Sequence, residues 1–343
     1  MIRPTLAERL LGGLNLFPLP VIDSFGNVMA GMALAAAVRR GVVECLALGP
    51  APAGEIARQT GTHPEAALLL AETLCVLGYA RRRGETYQLT RASRKWLLRD
   101  SPYCVANLLR YVETRYRRWA DIDTALRTGR PSVPYFDEFG PEDREVYAAG
   151  MADLAKLLLP AVRRLVKVEA HDKHLVDLGG SHALYAIDCC RRAPGLRATV
   201  VDLPGGVGYG RRMAREAGME ERVRFEETDI RSFEPREPAD VVLLFNVIHG
   251  FDESANRALI ARVAGMLRTG GRLYILDQYR GAGGSKGGAA VIPLAVGLNL
   301  LNETGGTSYD LDQVRSWAGD GFTFRFRKSG VPGVGLVTLV ARP

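Results

Sequence analysis

Residues 174–183 read His-Leu-Val-Asp-Leu-Gly-Gly-Ser-His-Ala, and they restrict the fold more than any other stretch. The apolar run is too short and too β-rich for an independent helix. It ends in an acid, Asp177, and two adjacent glycines, Gly179 and Gly180, and a helix-like stretch, Leu184–Arg192, follows at once. The expectation is a strand, a glycine turn and a helix N-terminus. Glycine lets a backbone approach a ligand closely, and the unpaired amides of a helix start face it. The same pattern also fits a tight turn that holds nothing, so the neighbouring strands have to decide.

A second apolar run, residues 198–201, ends in Asp202, at the distance expected of an acid that grips ribose hydroxyls. The next strand candidate, Val223–Glu227, ends near Asp229, which can reach the adenine edge of the same ligand. Three successive strand ends therefore offer glycine, Asp202 and Asp229 to one crevice, as happens at the carboxyl edge of a parallel sheet.

A chain of 343 residues has room for two domains and a sizeable core. Its 47% hydrophobic and 24% charged residues describe an ordinary globular protein rather than a disordered one. The uncharged stretches 10–22, 25–38 and 287–302 are short for a bilayer and broken by Pro or Gly. Glu8 and Arg9 before a Pro-broken apolar run argue against a signal peptide, so a cytoplasmic protein without a membrane partner is expected. Cys45, Cys75, Cys104, Cys189 and Cys190 lack metal-ligand spacing and read as reduced thiols, with no metal implied. The net charge of +7 leaves nucleic acid, an acidic substrate or a merely Arg-rich composition open, because the basic residues are spread out with clusters at 81–83, 115–118 and 211–215.

Residues 1–23 form an apolar, Pro-containing arm that either packs on a neighbour or stays loosely ordered. Residues 24–48 read as a helical segment in which Met29, Met32, Ala36 and Val43 share a face, more typical of a core stripe than of a functional surface. Residues 51–100 then give a short helix at 52–59, a turn, a longer helix at 64–77, a hairpin about Gly84 and a helix at 91–98: a winged-helix order. Such a module can bind DNA, yet residues 64–72 carry no base-reading side chain and two acids that repel phosphate, so no nucleic-acid partner is expected. Residues 111–119 and 147–165 read as connecting helices, with a Gly- and Pro-rich loop at 128–141.

Beyond residue 170 the alternation of strand and helix continues. Residues 241–245 are unbroken apolar, as for a strand buried on both faces, and lead into Asn246-Val-Ile-His249-Gly-Phe-Asp252. A helix at 254–267 with Asp252 as its cap follows, then a turn at Gly270 and Gly271 into a strand at 272–276 ending in Asp277. After a Gly-rich loop and a helix at 310–318, two β runs, Phe322–Lys328 and residues 335–340, close the chain as a hairpin. That hairpin adds an antiparallel strand to a parallel sheet, which departs from an ordinary dinucleotide fold.

Together these segments resemble the class I S-adenosylmethionine-dependent methyltransferases, in particular the two-domain small-molecule O-methyltransferases of the plant phenolic and bacterial polyketide type. The marks are residues 177–182, 201–204, 246–253, 266–273 and 297–301. The resemblance implies an α/β fold: a Rossmann-like methyltransferase sheet with a C-terminal antiparallel β-hairpin, preceded by a helical winged-helix dimerisation domain. It implies a division into residues 1–100 for dimerisation, 101–166 as connecting helices that contribute to the substrate pocket, and 167–343 for the cofactor and catalysis. The cofactor would be S-adenosyl-L-methionine, the acceptor a hydroxyl on a small aromatic or polyketide-like molecule, and the assembly a homodimer. Asp177, Gly179, Gly180 and Ser181 would line the methionine part, Asp202 and Leu203 the ribose, Asp229 and Ile230 the adenine, with Asn246 nearby. His249 falls on the family's catalytic base and Asp277 on the acid that steadies it. Met151 and Asn299 match acceptor-pocket positions, and Tyr279 is expected to border the same cavity.

The chain departs from the family pattern at several places. Ala183 stands where the loop often has its last glycine, Ser308 and its neighbours where plant enzymes carry a second acid, and Phe245 where many members place Lys or Arg near the adenine. His249-Gly-Phe replaces His-Asp-Trp. These departures keep open a related protein that binds the cofactor without methyl transfer, or one that methylates nitrogen or carbon.

Overall fold

A computed structural model of the chain describes residue 10, residues 13, 14 and 16, and residues 19–282 and 288–342. Much of the expected N-terminal arm and the middle of the Gly-rich loop, residues 283–287, lie outside the described residues. The chain divides into two compact units, Met1–Arg115 and Tyr116–Pro343.

In the first unit, a helical turn at Leu19–Val21 and a π turn at Ile22–Gly26 lead into α1 (Asn27–Arg39). The expected single helix is broken: Gly41 adopts φ +77, open to glycine at little steric cost, and α2 (Val42–Leu48) starts afresh. The proposed four-residue core stripe is therefore corrected. Val43 lies beyond the break and is buried, whereas Met29 and Met32 are 49% and 44% exposed. Then come β1 (Ala51–Pro52), α3 (Ala53–Thr60), α4 (Pro64–Val76), β2 (Ala80–Arg83), β3 (Thr86–Leu89) and α5 (Arg91–Trp96). The strands pair antiparallel in the order β1-β3-β2, so the winged-helix order is present. Pro64 opens α4, where its missing N–H costs nothing, and the Thr90 hydroxyl accepts the Ser93 amide to start α5.

Helices α6 (Ala106–Trp119), α7 (Ile122–Thr128) and α8 (Pro141–Leu165) follow, the predicted loop before α8 holding only a short 3-10 turn at Tyr135–Glu138. The remaining elements are β4 (His174–Leu178), α9 (Leu184–Arg192), β5 (Arg197–Asp202), α10 (Gly208–Glu216), β6 (Val223–Glu227), β7 (Ala239–Phe245), α11 (Glu253–Met266), β8 (Leu267–Gln278), α12 (Gly288–Thr304), α13 (Leu311–Ala318), β9 (Phe322–Lys328) and β10 (Val334–Ala341). One sheet runs in the order β6-β5-β4-β7-β8-β10-β9. The pairs from β6 to β8 are parallel, and β10 is antiparallel to both of its neighbours, as the closing hairpin requires. The chain moves outward from β4 to β6 and then returns to lay β7 on the other side of β4, so the strand order reverses at that point.

All seven residues of β7 are buried because the sheet is covered on both faces. Val241, Leu243 and Phe245 pack with Tyr185, Ile187 and Cys189 of α9, while Val242 and Leu244 pack with Leu259, Ile260 and Val263 of α11. This is the period-two alternation of a strand, read into two separate hydrophobic layers.

Two local expectations change. Gly270 and Gly271 lie inside a twelve-residue β8 instead of forming a turn before it. Leu267 pairs with Ala239, the register then shifts, and Arg272 pairs with Val241, so the glycines fill the irregularity, Gly270 with φ +75. Helix α12 has no helical signature in the sequence, because its apolar stretch lacks the polar face that reveals helical spacing. Leu243→Ala should cost about 2–5 kcal/mol, since the central layer cannot collapse onto the gap. Leu48→Ala, at an 84% exposed position, should stay within about 0.5 kcal/mol. Urea unfolding of the two variants checks both.

Candidate functional site

Asp177, Asp202, Phe245 and Leu276 mark the carboxyl ends of four adjacent parallel strands, and the loops that leave these ends meet one another. The Asp202 carboxylate accepts the Ser181 amide on Oδ2 (2.9 Å) and the Leu203 amide on Oδ1 (2.8 Å). One side chain thus joins the loops after β4 and β5. Gly179 has φ +75, and a Cβ there would stand 2.6 Å from Val247 Cγ2. A Cβ on Gly180 would stand 2.6 Å from Asp177 Cγ and 2.9 Å from Val200 Cγ1. The space freed by both glycines is filled by the protein itself. Their role is to press the turn flat against Asp177 and against the loop after β7.

Ala183, at the family's glycine position, holds φ +59 and is completely buried at the start of α9. A left-handed alanine costs on the order of 1 kcal/mol, so the loop keeps the glycine conformation without the glycine. Asn246 also has φ +55, and its amide donates to the Leu276 carbonyl (2.8 Å). Asparagine tolerates this region, which explains its place at the exit of β7.

His249 sits in the 3-10 turn Ile248–Gly250. Its Nδ1 lies 2.7 Å from Asp277 Oδ1, which also accepts the Gln278 amide at 2.7 Å. The Asp277 carboxylate is buried at the end of β8, so Nδ1 carries the proton toward it and Nε2 is left as the basic atom. The turn is pinned from other directions as well. The buried Asn256 amide donates to the Ile248 carbonyl (2.8 Å), and the Thr307 amide donates to the His249 carbonyl (3.0 Å). Gly306 presses so closely on that carbonyl that any Cβ would collide with it.

At the third strand end, Asp229 is paired with Arg231, and Ile230 beside it is buried. Leu203 is 41% exposed. Asn299 on α12 accepts from Trp119 Nε1 (2.8 Å), and the next polar position, Asn302, donates to the Arg118 carbonyl (3.1 Å). Met151 is half-buried on α8, whose Glu145 forms an ion pair with Arg212 of α10.

One expectation is corrected. Tyr279 does not border a cavity: it is fully buried, its hydroxyl donates to the Ile275 carbonyl (3.0 Å), and its ring stands edge-on to Phe326. Phe245 is likewise interior, edge-on to Tyr185 with ring centroids 5.0 Å apart, so its side chain belongs to the hydrophobic layer below the crevice. Ser308 is buried against Gly297, where a Cβ would be 2.6 Å from its Oγ. That contact needs a small side chain at both positions and leaves no room for a second acid there. Residues with no signal in the sequence include Asn256, which pins the histidine turn, and Glu303, a buried acid of α12 pushed up to about 8 by desolvation.

Asp177 is 1% exposed and is pushed up to about 7, first by burial and then by the nearby Asp202 charge. Its Oδ2 has no hydrogen-bond partner among the described residues. Burial raises Asp202 in the same direction. A crevice with buried Asp177 and half-buried Asp202 behind a glycine turn, and a third acid at the next strand end, suits a ligand carrying positive charge, ribose hydroxyls and an amine-bearing base.

Residues 119–322 match the O-methyltransferase domain, and residues 22–99 match the O-methyltransferase dimerisation domain. The chain belongs to the O-methyltransferase family. It is 29% identical over 320 residues to the tetracenomycin polyketide synthesis 8-O-methyl transferase TcmO of Streptomyces glaucescens, with 91% of this chain and 93% of that one covered. It is also 28% identical over 326 residues to the aclacinomycin 10-hydroxylase RdmB of Streptomyces purpurascens, covering 87% of this chain and 82% of the other. In fold it is similar to human N-acetylserotonin methyltransferase in complex with SAM, with a TM-score of 0.84, 22% identity and 99% of each chain covered. No helix of the described residues is long and apolar enough to cross a membrane.

In this O-methyltransferase the raised Asp177 has a consequence for stability. Its folded-state value lies above the ordinary 3.8 of the unfolded chain, so the native state binds the proton more tightly. The cost of ionising it is absent below about pH 4, grows as pH rises and is complete above about pH 7. Asp177→Asn should therefore gain on the parent protein between pH 5 and pH 8, by roughly 2 kcal/mol in the cofactor-free state. Urea midpoints at the two pH values check this, and an advantage that shrinks with rising pH would contradict it.

Proposed function

We propose that this O-methyltransferase transfers a methyl group from S-adenosylmethionine to a hydroxyl of a small aromatic or polyketide-like acceptor, with His249 as general base. The observation that carries the proposal is the His249–Asp277 hydrogen bond, held in a turn whose Val247 rests on Gly179 of the glycine turn. Base and cofactor loop are thereby neighbours. When bound, the cofactor supplies an electrophilic methyl group on a sulfonium.

Everything else falls to the chain's own side chains. Asp177, Gly179, Gly180 and Ser181 hold the methionine part, Asp202 and Leu203 the ribose, and Asp229 and Ile230 the adenine, with Asn246 shaping the exit of β7. An unperturbed phenol has a pKa of ~10 and is a weak nucleophile at neutral pH. His249 Nε2 takes its proton as the oxygen attacks, and Asp277 fixes the ring and offsets the charge that forms on it. Met151 and Asn299 border the acceptor. Residues 1–100 serve dimerisation, residues 101–166 connect and contribute to the acceptor pocket, and residues 167–343 hold the cofactor. The exposed Phe25, Met29 and Met32 supply the apolar surface for a homodimer.

A second reading is supported by the hydroxylase name of one relative and by the strained Ala183: the same cofactor held for chemistry other than methyl transfer. Product mass separates the two, since only methyl transfer adds a CH₂ equivalent to the acceptor.

His249→Ala should lower kcat by about 100- to 10 000-fold. It should leave the calorimetric Kd for S-adenosylhomocysteine within roughly threefold, because the imidazole serves the acceptor and not the cofactor. Unchanged turnover would remove the role. Replacing Met29 and Met32 together by Glu should convert a dimer into a monomer in light scattering, and a parent protein already monomeric at micromolar concentration would refute the dimer.

A further inference from the structure

Glycine weakens a helix relative to alanine, so a glycine inside one has to be explained by what lies against it. Gly208 and Gly210 both belong to α10, and neither has the positive φ that would demand glycine. Their surroundings differ. A Cβ on Gly208 would meet nothing within 4 Å. A Cβ on the buried Gly210 would collide with the Ser181 carbonyl oxygen and stand 2.9 Å from Phe225 Cε1 and 3.3 Å from Ala183 Cβ. These neighbours are held where they are. The Ser181 amide is bonded to Asp202 Oδ2 (2.9 Å), the Ala183 amide to the Gly180 carbonyl (2.6 Å), and the Ala183 carbonyl accepts the Ile187 amide (2.9 Å) as α9 begins. The Phe225 ring also carries the Arg211 guanidinium 5.2 Å from its centroid.

The same contact accounts for Ala183. Its side chain is completely buried and lies on the side of Gly210, and a methyl with no accessible surface presents nothing to the crevice. We infer that Gly210 is a positioning residue for the cofactor loop. By leaving out its own side chain it makes room for the methyl that Ala183 adds at the family's glycine position, so Ser181 stays on Asp202 and the loop keeps the shape that receives the cofactor. The missing side chain of this contact lies on the helix instead of the loop. The inference rests on the cofactor-site reading above and adds to it a residue that acts through Ser181 and Ala183 rather than by touching the cofactor. Close packing is what makes one methyl matter here, because neither the loop nor Phe225 has free space to move into.

The test is calorimetric titration of the full chain with S-adenosylhomocysteine, in the parent, in Ala183→Gly, in Gly210→Ala and in the double variant, with Gly208→Ala as a control in the same helix. Gly210→Ala should weaken binding by about tenfold or more, because the added methyl drives Ser181 off Asp202, while Gly208→Ala should stay within about threefold of the parent. The double variant should bind at least about threefold more tightly than Gly210→Ala alone, since the two changes share one contact and do not add. Ala183→Gly should keep the parent Kd within about threefold. It only removes atoms, so it decides where that methyl points even if circular dichroism shows Gly210→Ala to be unfolded. Tightening by about tenfold in Ala183→Gly would put the methyl in the crevice and overturn the inference. Parent-like binding by Gly210→Ala, an equal loss in Gly208→Ala, or no recovery in the double variant overturns it as well and leaves the cofactor reading standing. A parent protein that does not bind S-adenosylhomocysteine overturns the cofactor reading and this inference with it.

Discussion

The site depends first on a carboxylate that accepts backbone amides from two loops. Asp202 takes Ser181 and Leu203 at ordinary hydrogen-bond distances, so the turns leaving β4 and β5 share one anchor. Charge-assisted bonds of this kind are the stronger class, and here they are made by main chain, which has no rotamer freedom to lose. Gly179 and Gly180 complete the arrangement by letting the first turn lie flat on Asp177 and Val247. A side chain at either glycine would separate the cofactor loop from the strand ends beneath it.

The second turn, which carries His249, is positioned by a different kind of restraint. Buried Asn256 holds it from α11, Thr307 from the segment after α12, and Asp277 from the end of β8. Three separate elements thus fix a three-residue turn, and each is rooted in a hydrophobic layer. The antiparallel β10 matters here as well: by covering the outer side of β8 from Arg272 to Gln278, it makes Asp277 an interior residue instead of one on an edge strand. Burial is what makes that carboxylate a fixed orienting group, because a solvated acid would have several ways to meet the imidazole.

The sheet was legible because its signals are local. Strand ends at Asp177 and Asp202 follow from apolar runs that stop at an acid, and the helix α9 begins directly after the glycine turn. Boundaries such as Val223–Glu227 and Phe322–Lys328 are those of the structure. What the sequence concealed depends on distant partners or on backbone geometry. Gly41 reads as one more small residue in a helix, yet its left-handed φ ends α1 and sends Met29 and Val43 to different environments. Gly270 and Gly271 look like a turn because glycine pairs usually are, and only the pairing of Leu267 with Ala239 makes them part of β8. Tyr279 has the amphipathic chemistry of a pocket residue, but a backbone carbonyl four residues earlier satisfies its hydroxyl inside the core. The pairing of Asp229 with Arg231 has no signal in the sequence, because nothing there says that the side chains turn toward each other.

The left-handed non-glycine residues of the second unit and two of its raised acids lie together. Left-handed Ala183 and Asn246, buried Asp177 and half-buried Asp202 all belong to the carboxyl edge of the sheet. The strand core behind them is of another kind: residues 241–245 of β7 are entirely apolar and packed on both faces. A scaffold selected only for stability would replace a desolvated, half-satisfied acid by an apolar or amide side chain of similar size. Retaining Asp177 beside the charge of Asp202 means that the folded state without ligand bears an electrostatic cost that a positively charged ligand can offset. Asp277 is as deeply buried and its Oδ2 is likewise without a partner among the described residues, but its Oδ1 meets a histidine and a backbone amide, so this acid also holds a neighbour in place.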